Sequence, residues 1–282
     1  VVKLTNHSEN EREERMLHLK KSKLNRCIIC TSSYLHHWVI ASGSSGRRIY
    51  LPHMKKIFKQ CFNRRSRIGS YRLEWNFISN LIKQVDGLLQ DELGAGQRLT
   101  TKNLQQTIRQ SASSISDMQA LCDLSCFINP STIIELGTSA GFTTRALALA
   151  SPNTKIISIE GNSYLYNIAK QHLSTFQNIE LHCGFFDEVL PNLEYDKCKP
   201  IFVFIDGNHT YEASLRYVTK FLKFAVAGSA IVLHDIRWSE DMLKAWKKIK
   251  TLEFTGLTLE SYTMGIIFLR KEKEKQEFFI RY

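Results

Sequence analysis

The sequence predicts an α/β fold: an open, doubly wound, mostly parallel sheet with an antiparallel last strand, preceded by a helical cap. Three observations lead there. Beyond Pro130, short apolar runs alternate with amphipathic stretches at the spacing of βαβ units. One run, Ile201-Phe202-Val203-Phe204-Ile205, is apolar at every position, as in a central parallel strand covered on both faces. The last two runs lie too close together for a helical crossover, so they are expected to pair antiparallel.

The elements follow in chain order. Residues 1–53 show no sustained period and contain Ser42-Gly43-Ser44-Ser45-Gly46 beside Arg47 and Arg48. They are expected to be a disordered or non-native extension, with Met54 as a candidate native start. Residues 54–130 read as a helical cap region. Leu73, Phe77, Leu81, Val85 and Leu89 recur every four positions, which makes an amphipathic helix over 73–93, ended by Gly94 and Gly96. Two more helices are expected over 102–110 and 117–127. The second carries Met118, Leu121, Leu124 and Phe127 on one face, with Pro130 after its end.

Residues 131–282 form the α/β domain, with strands expected at 132–137, 155–160, 179–183, 201–206 and 229–234. Between the last two, Tyr211, Leu215, Val218, Leu222 and Ala225 mark the buried face of a crossover helix. A helix around 241–250 precedes strands at 257–262 and 265–269, and the polar segment 271–276 is expected at the surface.

Composition narrows the function classes. No run of about 18 apolar residues is present, so no transmembrane helix is expected. The formal charge is +11, but it is unevenly placed: the first 73 residues carry +12 and the rest −1. The domain that follows is therefore neutral, and nucleic acid is not its expected partner. Of seven cysteines, only Cys27 and Cys30 have ligand-like spacing, and no second pair accompanies them. Cys122 and Cys126, one helical turn apart, are expected in the core. A reduced, cytoplasmic protein is the simplest reading.

In an open α/β sheet, ligands sit beyond the carboxyl ends of the strands, and here four strands end in polar residues. Glu135 and Gly137 close the first, Glu160 the second, Asp206 the fourth, and His234-Asp235 the fifth. Acids that merely cap helices would explain any one of these, but poorly all four. After the first strand, Gly137-Thr138-Ser139-Ala140-Gly141 makes a turn into a helix, and Ser139 occupies the place where a pyrophosphate site has its middle glycine. Glu160, 19 residues past Gly141, is placed to accept hydrogen bonds from the ribose hydroxyls of an adenosyl ligand. Phe185, in the loop after the third strand, is a candidate for the adenine face, and Asp187 for a helix cap.

The acid-x-G-x-x-x-G pattern of Glu135 to Gly141 resembles motif I of the class I S-adenosylmethionine (SAM) methyltransferases. Together with Asp206-Gly207-Asn208-His209-Thr210-Tyr211-Glu212 and His234-Asp235, it resembles their O-methyltransferase type over about residues 116–269. The resemblance implies a seven-stranded Rossmann-like sheet, SAM as methyl donor, and a hydroxyl of a small molecule or sugar as acceptor. It implies that Glu135, Gly137, Thr138 and Gly141 hold the donor's amino-acid end, and that Glu160, Phe185 and Asp206 complete the donor site.

Removing a proton from a hydroxyl needs a base, for which His209 is the first candidate and His234 the alternative, with Asp206 beside them. Related metal-dependent enzymes bind a divalent cation such as Mg²⁺ at the positions of Asp206 and Asp235. Here the neighbours His234 and Ile236 do not reproduce their oxygen-ligand pair, which leaves metal dependence open. Trp238 is a candidate for the acceptor wall, and Trp246 for the core. A homodimer is compatible with this reading. Two other functions compete with it: an NAD-linked oxidoreductase, disfavoured by Ser139 and the terminal hairpin, and a binding protein using its basic amino-terminal segment on an anionic partner.

Overall fold

The computed structural model describes residues 61–62, 113–253, 255–270 and 275–280. The expectations for residues 1–53 and for the helices at 73–93 and 102–110 lie outside them. Helix α1 (Ile115–Ile128) leads into β1 (Thr132–Leu136), followed by α2 (Phe142–Ala150), β2 (Lys155–Glu160), α3 (Ser163–His172) and β3 (Ile179–Cys183). A short α4 (Phe186–Val189), running into one 3₁₀ turn, precedes β4 (Ile201–Ile205), α5 (Tyr211–Phe224) and β5 (Ala230–Leu233). The chain then forms α6 (Glu240–Thr251), β6 (Leu257–Glu260), β7 (Gly265–Phe268) and β8 (Gln276–Phe279).

The strands form one sheet in the order β3-β2-β1-β4-β5-β7-β6-β8. β1 to β5 are parallel, and β7 runs antiparallel to both β5 and β6. Among the described residues the sheet has eight strands where seven were expected. The extra strand, β8, pairs parallel with β6 at the edge, and its Gln276 was read as part of a polar tail. Charges at 271–275 hide this short strand, because an edge strand needs only one apolar face.

The sheet is covered on both faces. Phe202 and Phe204 of β4 join Ile133 of β1 under Leu121 and Leu124 of α1 and Leu147 of α2. On the other face Ile201, Val203 and Ile205 pack with Val218 and Phe221 of α5 and Trp246 of α6. This alternation is the two-residue period of a strand, doubled because both faces are buried. Cys61 and Phe62 also belong to the first core, at 3 % and 2 % exposure, and the Cys61 thiol reaches the Asp123 carbonyl at 3.6 Å. At least this part of the segment before the sheet is therefore packed on α1.

Two expectations need correction. The buried face of α5 centres on Ala213, Ser214, Tyr217, Val218, Phe221 and Leu222, while Leu215 is only half-buried. The wide aromatics Tyr217 and Phe221 turn the helix toward themselves, which an aliphatic pattern does not show. Of the two cysteines one turn apart, Cys126 is exposed and only Cys122 is buried. No helix among the described residues is long and apolar enough to cross a membrane.

Candidate active site

The chain runs outward from β1 through β2 to β3, then returns to lay β4 on the other side of β1. This reversal leaves a crevice beyond the carboxyl ends of β1 and β4, where ligands bind in open α/β sheets. A cavity of about 840 Å³ opens there. Ladder bonds carried past the strand ends fix its rim: Asp206 donates its backbone N–H to Leu136 at 2.8 Å, and His234 donates to Ile205 at 2.9 Å.

The turn after β1 is built from three left-handed residues, Gly137 (φ +104°), Ser139 (φ +49°) and Gly141 (φ +85°). At Gly137 a Cβ would lie 2.2 Å from the Asp206 carbonyl oxygen, so the glycine is required by the neighbouring strand. Gly137 and Ser139 line the cavity. Glu135, Thr138 and Gly141 are not in its wall. Glu135 points into the face beneath the turn, where it is fully buried and accepts hydrogen bonds from Thr144 and from Ser158 at 2.5 Å. Thr138 meets the same Ser158 hydroxyl at 2.6 Å, and a Cβ on Gly141 would press Leu173 at 2.9 Å. These three residues shape the turn from below, because strand alternation sends Glu135 toward α2. Burial pushes the Glu135 carboxyl up to about 8, although its two hydroxyl partners pull it down.

Glu160 ends β2 in the cavity wall. Its carboxylate accepts from the Ser139 backbone N–H at 2.7 Å and from that of Asn162 at 2.9 Å, clamping the glycine turn to the loop before α3. The helix cap itself is Asn162, whose side chain accepts from Tyr164 and Leu165. Beyond it, Gly161 and the 69 % exposed Phe185 extend the wall. Asp187 does not cap α4; it accepts from Arg216 at 2.7 Å and from the Tyr217 hydroxyl at 3.2 Å.

At the other end of the cavity the ends of β4 and β5 meet the first turn of α1. His234 is 6 % exposed, and its Nδ1 lies 3.1 Å from Asp206 Oδ1 and 3.6 Å from Asp235 Oδ1. Its Nε2 stands 3.7 Å from Asp117 Oδ2, an ion-pair distance too long for a hydrogen bond. Burial works against a charge on this ring, but the carboxylates of Asp206, Asp117 and Asp235 outweigh it and raise the imidazole well above its ordinary range. Burial likewise raises Asp235, opposed by His234 and reinforced by Asp206.

His209 is more open, with Nε2 3.8 Å from Asp206 Oδ1 and 4.0 Å from Asp235 Oδ2. Its ring centroid is 6.3 Å from that of Trp238, which is 43 % exposed on the cavity rim. Asn208 (φ +51°) and Asp235 (φ +54°) hold left-handed backbone without being glycine, a strain typical of residues aimed at a site. Asp206, His209 and Asp235 offer three potential ligand atoms within 4.8 Å of one another.

Asp117, Ser114 and Thr263 also line this end and were not expected there. Ser114-Ile-Ser-Asp117 has the form of a helix-capping pattern, which locates the start of α1 but not its direction. Nothing in the sequence marks Thr263, which lies in the turn between β6 and β7. Trp246, by contrast, is fully buried as expected, with its indole N–H donating to Glu260 at 2.7 Å.

A family model described as a methyltransferase domain matches residues 134–236, from within β1 to just past His234-Asp235. No curated protein matches the chain. Among solved structures, the SAH-bound methyltransferase PaMTH1 of Podospora anserina is similar to this chain at 14 % identity and TM-score 0.50, over 68 % of this chain and 96 % of that one. The O-methyltransferase TomG of Streptomyces achromogenes, solved with SAM, is 19 % identical with a TM-score of 0.49, over 66 % and 96 %. At such identity the Podospora structure speaks for the fold alone.

Proposed function

We propose that this methyltransferase takes its methyl group from SAM and delivers it to a hydroxyl oxygen of a small molecule or sugar. The observation that carries this reading is one cavity with Glu160 at one end and the His209, Asp206 and Asp235 cluster at the other. Among the described residues, the wall holds five carboxylates, Asp117, Glu160, Asp187, Asp206 and Asp235, and no Lys or Arg. Such a wall suits a sulfonium cation and disfavours the pyrophosphate of a dinucleotide. Ser139 and the antiparallel hairpin weigh the same way against an NAD-linked enzyme.

Bound there, SAM supplies a methyl group activated by its sulfonium for in-line attack by oxygen. Glu160, already accepting two backbone N–H groups, has further lone pairs for the ribose hydroxyls. Phe185 offers its exposed face to the adenine, and the turn of Gly137, Thr138 and Gly141, braced by Glu135, receives the amino-acid end. His209 Nε2 takes the proton of the acceptor hydroxyl, while Asp206 and Asp235 stabilise the imidazolium that forms. His234, buried against Asp206 and raised toward its charged form, is the poorer base. It serves as the fixed counter-charge of Asp206.

A second reading follows from the three-atom cluster. Asp206, His209 and Asp235 would hold a divalent cation, which would polarise the acceptor hydroxyl in place of a His209 base. Two carboxylates and an imidazole suit a transition metal better than Mg²⁺.

Incubating the chain with methyl-labelled SAM and a panel of phenolic and sugar hydroxyls tests both readings. His209→Gln is expected to lower turnover about 100-fold or more while leaving SAM affinity within about twofold. Full activity in EDTA removes the cation; full activity of His209→Gln removes the base.

A further inference from the structure

Helix α1 comes from outside the residues matched as the methyltransferase domain, yet its first turn enters the cavity wall. The Asp117 carboxylate, 5 % exposed, is tied in three directions. Its Oδ2 accepts from the Ser114 hydroxyl at 2.8 Å, and Ser114 in turn accepts from the Asp117 backbone N–H at 3.1 Å, so the side chain is locked to its own helix start. Its Oδ1 accepts from the Thr263 hydroxyl at 2.8 Å, a bond spanning 146 positions that joins α1 to the β6–β7 turn. The same carboxylate faces His234 Nε2 at 3.7 Å, and the far side of that ring holds Asp206 at 3.1 Å. Among the described residues Nε2 is buried without a hydrogen-bond partner, and Asp117 faces this edge of the ring at ion-pair distance.

The turn itself has a separate anchor. Arg237 donates to the Ser261 carbonyl at 2.8 Å and the Tyr262 carbonyl at 3.0 Å, and pairs with the buried Glu260. Ile236 donates to the Thr263 carbonyl at 3.2 Å. Losing the Thr263 hydroxyl therefore leaves the turn folded while cutting its link to α1.

We propose that Asp117 is a positioning residue of the active site, a latch between α1, the Thr263 turn and His234 that holds Asp206 in place beneath the acceptor. It rests on the methyl-transfer reading for its catalytic consequence, but not for its geometry. The latch acts through His234 and does not itself exchange a proton with the acceptor. Because its pieces come from α1, the end of β5 and the β6–β7 turn, the acceptor side is complete only when residues before the matched domain are in place.

Two measurements on the full chain test it. The first is hydrogen–deuterium exchange without SAM, comparing wild type with Asp117→Asn, Thr263→Val and Thr263→Ser. Asp117→Asn is expected to speed exchange at 234–236 and 261–264, Thr263→Val at 113–118 and 261–264, and Thr263→Ser to restore the slow pattern. Exchange that changes only at the substituted residue overturns the latch. The second is steady-state kinetics with SAM and catechol as probe acceptor. Asp117→Asn is expected to lower kcat about tenfold or more through misplacement, with KM for both substrates within about twofold. An unchanged kcat, or a parallel loss of SAM affinity, overturns the positioning role. If catechol is not methylated, the exchange result alone decides. Failure of wild type to bind SAM sinks the methyl-transfer reading and leaves the latch standing on exchange.

Discussion

Glu135 lies fully buried with one oxygen accepting two hydroxyl hydrogen bonds and the other, Oε1, without a partner among the described residues. A carboxylate there would be an uncompensated buried charge, so the group carries a proton at neutral pH. Its folded value of about 8 stands above the ordinary 4.5, so the native state keeps a proton that the unfolded chain releases. Stability from this site is complete below about pH 4.5 and is lost as pH rises toward 8. In urea unfolding at several pH values, Glu135→Gln should gain on wild type by about 3 kcal/mol between pH 5 and 7.5. A gap that stays constant with pH would mean the carboxyl is ionised throughout. The sequence identified Glu135 by its position in a motif but assigned it to the ligand. Its direction depends on strand alternation against Thr144 and Ser158, partners 9 and 23 positions away. Glu160 and Asp206 reach the cavity wall because they stand at the ends of β2 and β4, and His209 because it follows in the loop after β4. Asp117 was not legible in the sequence, because a capping aspartate looks the same wherever the helix points.

At the scale of elements, the turn from β1 to α2 is where sequence and packing constrain each other most tightly. Gly137 is needed twice: for φ +104° and because the Asp206 carbonyl occupies the place of a Cβ. Gly137→Ala should cost more than about 2 kcal/mol in urea unfolding and weaken SAM binding, since relieving the contact moves Asp206. A variant with wild-type stability and affinity would show that the β1 and β4 ends are not in contact. The parallel strands and the terminal hairpin were readable from apolar runs and their spacing. The face of α5 was not, because Tyr217 and Phe221 outweigh smaller aliphatics in area and turn the helix by that difference. β8 escaped because a four-residue edge strand after a charged run carries too little period to recognise.

Across the whole molecule, charge and function are separated along the chain. The first 73 residues carry +12, whereas the described wall of the cavity is acidic. A basic protein thus presents an active site suited to a cationic donor, so the +11 total is a poor guide to what the site binds. The reversal of strand order at β1 and β4 places Glu160 and the His209 cluster in one crevice, and the sequence foretold that topology through its βαβ spacing. What it could not foretell is the contribution of α1 and the Thr263 turn, which only long-range packing brings to the same cavity. The central claim, that this cavity is a SAM site, is tested most directly by calorimetric titration of the purified chain with SAM and, separately, with NAD. The account predicts a one-site isotherm for SAM, weakened by Glu160→Ala, and no heat of binding for NAD. Binding of NAD without binding of SAM would contradict it.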